Sequence, residues 1–451
     1  MSEMHSHVLY GNRLSDCGYK GLPTAPFLTF PGTAFLHGKE YPGQSFSMDQ
    51  DSMFRHLLLL GSSGSGKTNI LRQIASQLVA QTSSDSVRLI FDTKADYIEK
   101  KAGLYHRGDY VLGSSAQFRL QSECWNLFGE ILVDGNSQED VEANAREISS
   151  VLFKDRGSKT QPFFANAARD ILAGTLIYFH RRCTDRPSAW RDRLNNKDLF
   201  QFIMRTSPAK YAQYFSLYPD LRGMLTYFGD GSNNQSLGVF AELHSLMYDC
   251  FQGIFCAKPD VTHPPFSIRK AVRDKGGKNI FIEYDLSRGE TLIPIYRLLV
   301  DLALKEALSG SSNGKTYLLL DEMKLLPCLE HLDDALNYGR SKRVSVTAGL
   351  QSVGQMYDMY GQDKARVILS GFGSFFGMRT NDAESREYIS RRFAPNVTAY
   401  RYNNGSNTFI DREREGFTVE AWDQTVLQTG QAVIGIPTQF EPFLFRFNYV
   451  P

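Results

Sequence analysis

The chain has 451 residues, of which 42% are hydrophobic and 22% charged, a composition typical of a folded globular protein with two or three domains. Its 50 Lys and Arg residues against 49 Asp and Glu give a net charge of +1, so any nucleic-acid binding must rest on a local patch or pore. Six scattered cysteines with no C-x-x-C pair suggest neither a zinc site nor a disulfide framework, and they indicate a reducing cytoplasm.

The first fifty residues are rich in glycine, proline and aromatic residues. This composition predicts short strands and turns that lead into the first core strand. The segment has no secretory pattern, and no apolar run in the chain is long enough to cross a membrane. We therefore expect a cytoplasmic protein that is not integral to a membrane and that reaches the inner membrane only by recruitment.

A G-x-x-x-x-G-K-[ST] motif follows an apolar run of strand length at 55–60 and precedes residues of helical spacing, with the helix expected to end near Gln81. Its glycines allow backbone N–H groups to close on phosphate oxygens at a helix N-terminus. The lysine would contact the outer phosphates and be solvated in the empty site, and the threonine would ligate Mg²⁺. A glycine- and serine-rich turn is the alternative. The motif residues are Gly61, Ser62, Ser63, Gly64, Ser65, Gly66, Lys67 and Thr68.

Residues 87–91 read as a second strand, with Asp92 and Lys94 at its carboxyl end. The series strand, loop, helix, strand predicts a mainly parallel sheet, in which ligand sites lie beyond the carboxyl ends of the strands. Asp92 and Lys94 are therefore expected near the nucleotide or a subunit edge, or else in a solvated turn.

A change of pattern at 137–265 predicts an inserted, mostly helical domain. One helix face is expected to carry apolar residues from Phe163 to Phe179, and another to carry residues from Leu237 to Met247. A basic cluster from His180 to Lys197 would contact DNA phosphates or form a charged helix end with a solvated loop.

Strand-like residues resume at 279–284, followed by a helix at 296–307 and by an apolar strand at 316–320 that ends in Asp321 and Glu322. This pair has the form of a Walker B element, in which Asp321 would hold Mg²⁺ and Glu322 would polarise the attacking water. The alternative is a helix that begins with acidic residues.

One helix is expected at 323–338 and a further strand at 344–350, ending at Gln351, whose amide would contact the γ-phosphate or the water. Residues 372–378 are expected to form another strand, and residues 432–436 and 440–447 an antiparallel pair. No NKxD element for guanine is present, so a GTPase is not favoured and ATP with Mg²⁺ is the expected cofactor pair.

With these motifs, the chain resembles the conjugative coupling proteins of type IV secretion, the TraD-like branch of the FtsK–HerA P-loop translocases. The resemblance covers roughly residues 35–130 and 265–450. The stretches that carry it are 55–68, 91–94, 320–322 and 338–352.

The resemblance implies a hexameric ring with DNA in a central channel. It implies that Arg340 completes a neighbour's site and that Arg55 lies by the nucleotide. The chain departs from the membrane-bound members in lacking N-terminal transmembrane helices, which leaves a secretion channel, a relaxase or a defence system open as partner.

The resulting prediction is an α/β fold with a RecA-like P-loop NTPase core and an inserted all-α domain. The expected domains are a lead-in at 1–50, an ATPase domain at 51–136 and 266–451, and the helical domain at 137–265. The expected function is an ATP-dependent DNA translocase. The alternatives are an ATPase that acts on protein, one that packages DNA outside conjugation, and a nucleotide-switched scaffold. Glu322 and Gln351 argue against a pure scaffold, because binding alone needs neither.

Overall fold

The structure is a computed structural model. It describes residues 5–450 except 16–17, 22–24, 37, 82, 99–102, 157–161, 229–233, 311–313 and 404–408. Cys17 lies outside the described residues, and the other five cysteines carry free thiols.

The strands, in chain order, are β1 (His5–Gly11), β2 (Leu28–Leu36), β3 (Lys39–Met48), β4 (Leu57–Leu60), β5 (Ser86–Asp92), β6 (Tyr110–Gly113), β7 (Cys124–Trp125), β8 (Pro265–Phe266), β9 (Lys278–Glu283), β10 (Lys315–Leu320), β11 (Val344–Leu350), β12 (Ser374–Met378), β13 (Pro395–Asn403), β14 (Phe409–Phe417), β15 (Gln431–Ile436) and β16 (Gln439–Phe447).

The α-helices are α1 (Gln50–Phe54), α2 (Lys67–Ala80), α3 (Leu127–Ile131), α4 (Gln138–Phe153), α5 (Phe163–Asp185), α6 (Pro187–Trp190), α7 (Asn196–Arg205), α8 (Pro208–Phe215), α9 (Asn234–Cys250), α10 (Ile268–Asp274), α11 (Gly289–Leu308), α12 (Leu332–Tyr338), α13 (Val353–Tyr360), α14 (Gln362–Ser370), α15 (Ala383–Arg392) and α16 (Asp423–Val426). Short 3₁₀ helices occupy Arg191–Arg193, Pro219–Tyr227, Gly253–Cys256 and Met323–Leu325.

The chain divides into two compact units, one formed by Met1–Arg107 with Gly314–Pro451 and the other by Gly108–Asn313. In the first unit the large sheet has the strand order β3-β2-β16-β15-β12-β4-β11-β10-β5. The strands from β12 to β5 in this order are parallel, and β15, β16, β2 and β3 add antiparallel pairs. The predicted mainly parallel core with a terminal antiparallel pair is confirmed.

β4 is an interior strand of this parallel core, between β12 and β11. Its four leucines are at most 1% exposed, as expected of a parallel strand that is covered on both faces. Leu60 pairs with Leu350 of β11 and with Gly377 of β12, so the carboxyl ends of these strands meet at one edge of the sheet. That edge carries the predicted phosphate-binding loop.

The first unit also holds a three-stranded antiparallel sheet of β1, β13 and β14, which the sequence did not indicate. The segment predicted as one helix at 323–338 contains only a 3₁₀ turn and the short α12. Pro327 accounts for the difference, because a proline disfavours helical backbone at the residue before it.

In the second unit α5 packs against α4 and α9, and the described residues between 137 and 264 form helices and turns without a strand. The predicted helical insertion is confirmed. The compact unit is nevertheless wider than the predicted domain 137–265, since it includes the parallel pair β6–β9 and helices α10 and α11. On the predicted helix faces, Phe163 and Leu237 are 40% and 53% exposed, so the buried stripes are narrower than expected.

Among the residues that the structure describes, no helix combines the length and the apolar character needed to cross a bilayer.

Candidate nucleotide-binding site

The phosphate-binding loop begins where β4 ends and finishes where α2 begins. The N–H of Gly61 donates to the carbonyl of Leu350 at 3.1 Å, which fixes the start of the loop against β11. Gly64 and Gly66 have φ angles of +75° and +107°, a left-handed region that favours glycine. A Cβ on Gly66 would also lie only 3.0 Å from the backbone nitrogen of Gly430. The loop is therefore closely packed as well as tightly turned.

The Lys67 side chain points back into this loop. Its Nζ donates to the carbonyl oxygens of Gly61 at 2.5 Å and Ser62 at 3.3 Å. Burial lowers the pKa of Lys67, while the nearby Glu322 and Asp321 carboxylates act in the opposite direction. The expectation of a solvated lysine was wrong, because the residue is only 8% exposed. The ammonium already lies among oxygen acceptors, the environment that a phosphate would provide.

Thr68 and Asp321 meet at the same edge, although the chain separates them by 253 residues. The threonine hydroxyl donates to the two carboxylate oxygens at 3.2 and 3.4 Å. Burial, followed by the negative charge of Asp92, raises the pKa of Asp321 to about 6. Ionising this carboxylate is unfavourable in the empty site, and a bound cation would offset that cost.

The two oxygen donors fit Mg²⁺, which proteins usually bind through one or two carboxylates together with substrate phosphates and water. Among the described residues no group of three or more His, Cys, Asp or Glu side chains is placed to hold a metal alone. A metal at this site would thus depend on the nucleotide for its remaining ligands.

Glu322 and Gln351 form the second polar pair of the site. The Gln351 amide donates to Glu322 Oε2, whereas Glu322 Oε1 is buried and has no hydrogen-bond partner among the described residues. Burial raises the pKa of Glu322, and the hydrogen bond from Gln351 and the charge of Lys67 oppose that rise. One carboxylate oxygen is therefore held in place, and the other lacks a partner and could accept a proton from water.

The turn after β5 resolves the alternatives for Asp92 and Lys94. Thr93 and Lys94 line the cavity, but the Asp92 carboxylate accepts hydrogen bonds from the backbone N–H groups of Lys94 and Tyr97. Asp92 is fully buried, so it supports the turn beside Asp321 and is not a solvated residue.

One cavity of about 350 Å³ in the first unit is lined by Lys67, Thr68, Asp321, Glu322 and Gln351. Its other wall comes from the end of the chain: Gly430 donates its N–H to the carbonyl of Ser65 at 2.8 Å, and the Thr429 hydroxyl donates to that of Gly64 at 3.2 Å. Phe447 and Tyr449 also line the cavity. Sequence reasoning missed this wall, because no motif marks it. The signal that the sequence offered was the glycine at position 430, which adopts a left-handed φ of +80° in the structure.

Arg55 and Arg340 lie together, away from this cavity. Arg55 precedes β4, whereas the phosphate-binding loop follows it, so a strand of about 13 Å separates the two. Both guanidiniums contact Asp51, with Arg55 Nε 3.0 Å from Oδ2 and Arg340 Nε 2.9 Å from Oδ1. The resemblance had implied that Arg55 lies by the nucleotide. Within one chain it does not, because the strand places Arg55 at the opposite edge of the sheet.

The basic cluster of the second unit has internal partners. Arg181 pairs with Glu142 at 2.8 Å and with Asp220, and the guanidiniums of Arg182 and Arg193 lie over the ring of Trp190. For these three arginines, the structure favours a charged helix end over a row of free cations.

The central parallel sheet, the loop around Lys67 and the carboxylates at the neighbouring strand ends define a P-loop NTPase with a RecA-like core. A family model described as the type IV secretion-system coupling protein DNA-binding domain matches residues 42–421. The chain therefore belongs to the coupling proteins of type IV secretion, and the resemblance stated from its motifs is confirmed.

Individual relatives are distant. The chain is 28% identical over 192 residues to the conjugal transfer protein TraG of Agrobacterium fabrum (strain C58). This match covers 39% of the chain and 29% of TraG. It is 24% identical over 333 residues to the coupling protein TraD of Escherichia coli (strain K12), covering 71% of this chain and 41% of TraD. The chain thus spans less than half the length of these curated relatives.

Among solved structures, the plasmid coupling protein TrwB in complex with ADP and Mg²⁺ matches with a TM-score of 0.67 and 22% identity, over 97% of each chain. At this identity the match shows the fold.

Proposed function

We propose that the chain is a Mg²⁺-dependent ATPase that moves DNA, and that it hydrolyses ATP at the subunit interfaces of a homo-hexameric ring. One observation carries this proposal: in a member of the coupling-protein family, Lys67, the Thr68–Asp321 pair and the Gln351–Glu322 pair line a single cavity. The complexes named for TrwB, with ADP and Mg²⁺ and with a non-hydrolysable ATP analogue, support the choice of ligand.

The residues divide the chemistry of phosphoryl transfer among them. Lys67 exchanges its contacts with Gly61 and Ser62 for the outer phosphates, and the N-terminus of α2 stabilises their charge. Thr68 and Asp321 would hold Mg²⁺, which would neutralise charge on the phosphates. Glu322 accepts a proton from the attacking water while the Gln351 amide holds the carboxylate in place. Positioning and charge neutralisation provide the rate enhancement.

The proposal of a ring draws on the position of Arg340. It lies at the amino edge of the parallel strands, opposite the edge that carries the cavity, and its side chain is 56% exposed. An arginine at that edge is too far from its own nucleotide but accessible to a second copy. An arginine finger supplied in trans contributes about 10³–10⁵ in rate.

DNA is the proposed substrate, on the strength of the family description. Membership of this family also favours conjugation machinery as the setting, with recruitment to the inner membrane by a secretion channel or a relaxase as the finer proposal. A defence-system partner is the alternative.

The first experiment measures the ATPase rate with and without single- and double-stranded DNA, alongside the mass of the assembly with nucleotide. A DNA motor is stimulated by DNA and assembles into a hexamer. Hydrolysis that DNA leaves unchanged would favour an ATPase that acts on protein, and tight binding without turnover would favour a scaffold.

The second experiment mixes two inactive variants, Arg340→Ala and Lys67→Ala. If Arg340 acts across an interface, some interfaces in a mixed ring pair an intact Lys67 with an intact Arg340, and part of the activity returns. A demonstrated mixed oligomer without recovery would refute the role in trans. Asp363→Asn mixed with Lys67→Ala is the matched control for subunit exchange, because Asp363 is a fully exposed carboxylate on α14.

A further inference from the structure

A single carboxylate joins the two arginines at the amino edge of the sheet. Asp51 lies in the first turn of α1, and its oxygens accept from Arg55 Nε at 3.0 Å, Arg340 Nε at 2.9 Å and Arg340 Nη2 at 3.1 Å. The Arg340 pairing is bidentate, which fixes the plane of the guanidinium as well as its distance. Arg340 is 289 residues from Asp51 in the chain, so only the fold brings the pair together.

The backbone on both sides of this pair is held independently of the pair. The Ser345 hydroxyl donates to the carbonyl of Met53 at 2.6 Å, which anchors α1 to β11. The turn that carries Arg340 is closed by the N–H of Val344, which donates to the carbonyl of Gly339 at 2.8 Å. These bonds place the Cα atoms, but they leave the long arginine side chain free to rotate. Its orientation depends on Asp51.

The pair is too exposed to serve mainly as a stabilising ion pair. The side chains of Asp51 and Arg340 are 49% and 56% exposed, and surface pairs of this kind contribute little to stability. The shared carboxylate instead offsets the repulsion between two guanidiniums. It leaves one net positive charge facing solvent, where a phosphate could approach.

We propose that Asp51 is a positioning residue, which holds the Arg340 guanidinium oriented for the phosphates of a nucleotide bound by a second copy of the chain. This inference rests on the proposed action of Arg340 in trans. Asp51 does not touch the nucleotide itself. Asp51 reduces the rotamer entropy that Arg340 loses when it binds phosphate. The Asp51 carboxylate is shared with Arg55.

The test compares Asp51→Asn, Asp51→Glu and the control Asp363→Asn in the assembled protein. Asp51→Asn keeps the size of the side chain but removes the charge that holds the guanidinium. We expect kcat to fall about two- to tenfold, the range for losing the pre-orientation of one long side chain. The melting temperature should stay at its wild-type value, because Asp51 is exposed and the backbone around it is held by other bonds. Asp51→Glu should recover most of the loss, and Asp363→Asn should behave as wild type.

A kcat at or above the wild-type value in Asp51→Asn would overturn the inference, because Asp51 would then be irrelevant or would restrain Arg340. A loss accompanied by a lower melting temperature and not restored by Asp51→Glu would also overturn it, because the role would be structural.

Mixing with Lys67→Ala separates this inference from the proposed function. Every active site in that mixture belongs to an Asp51→Asn chain, and some of these sites receive Arg340 from a Lys67→Ala chain with an intact Asp51. The rate per Asp51→Asn chain should therefore rise. If the mixture of Arg340→Ala with Lys67→Ala recovers activity but this one shows no rise, the inference fails and the proposed function stands. If neither mixture responds, the action of Arg340 in trans fails, and the inference fails with it.

Discussion

Replacing Asp321 by asparagine should stabilise the protein in the absence of metal and nucleotide. The pKa of Asp321 rises from 3.8 to about 6 on folding, with burial as the main cause and the charge of Asp92 as the next. At 1.36 kcal/mol for each pH unit, this rise corresponds to a cost of about 3 kcal/mol in the ionised state. Asparagine keeps an oxygen that can accept from Thr68, so the variant loses the cost but retains an acceptor.

The sign of the pH dependence follows from the direction of the shift. Because the folded state holds the proton more tightly, the cost is absent below pH 3.8, grows as the pH rises to about 6 and stays constant above it. The stabilisation by Asp321→Asn should therefore be largest at pH 8 and should shrink as the pH is lowered through 6 toward 4.

Thermal and urea unfolding in EDTA at pH 8 and pH 5 measure this difference, with Asp363→Asn as the exposed-carboxylate control. Adding Mg²⁺ and a non-hydrolysable ATP analogue should reverse the order, since only the wild type has the carboxylate that binds the metal. An Asp321→Asn protein that is equally or less stable at pH 8 would refute the reasoning that burial raises the energy of this carboxylate.

Four further outcomes are expected. Lys67→Ala should abolish hydrolysis, which a turnover assay checks. It should change the free energy of unfolding, measured by denaturation, by only about 1 kcal/mol, because the loss of two hydrogen bonds to carbonyls is offset by the removal of a buried charge. Glu322→Gln should slow hydrolysis by at least about 100-fold and retain ATP through gel filtration, because the amide cannot take the proton. Gly66→Ala should weaken ATP binding by about tenfold or more in calorimetry, because a Cβ at φ +107° is strained and meets Gly430. The logarithm of the affinity for duplex DNA, measured by fluorescence anisotropy, should fall against the logarithm of the salt concentration with a slope of about −0.9 for each phosphate contacted, and a flat slope would count against a DNA motor.

The sequence was most informative where local spacing determines structure. The apolar run before Gly61 has strand length and the residues after Thr68 have helical spacing, so the sequence predicted a strand, a loop and a helix here without tertiary information. The same parallel-sheet logic brought Asp321 and Gln351 to one edge, where the structure has them.

Features that depend on distant partners were not predictable in this way. β14 consists largely of alternating acidic and basic residues, so it lacks the apolar alternation that marks a strand. The wall formed by Thr429 and Gly430 depends on the return of the chain end to the loop, which no local pattern records. Arg55 could have been placed correctly, since a residue before a parallel strand lies at the edge opposite a loop that follows it.

The two-part construction of the first unit has a consequence for its synthesis. β4 emerges from the ribosome early, but its neighbours β11 and β12 follow only after the whole second unit. Thr68 is synthesised 253 residues before its partner Asp321, and at 5–20 residues per second this interval lasts roughly 10–50 s. During this interval four consecutive leucines have no sheet to join, and an unpaired apolar strand is prone to aggregation. The nascent chain should therefore depend on chaperones that cover β4, and it should aggregate in a translation extract depleted of them.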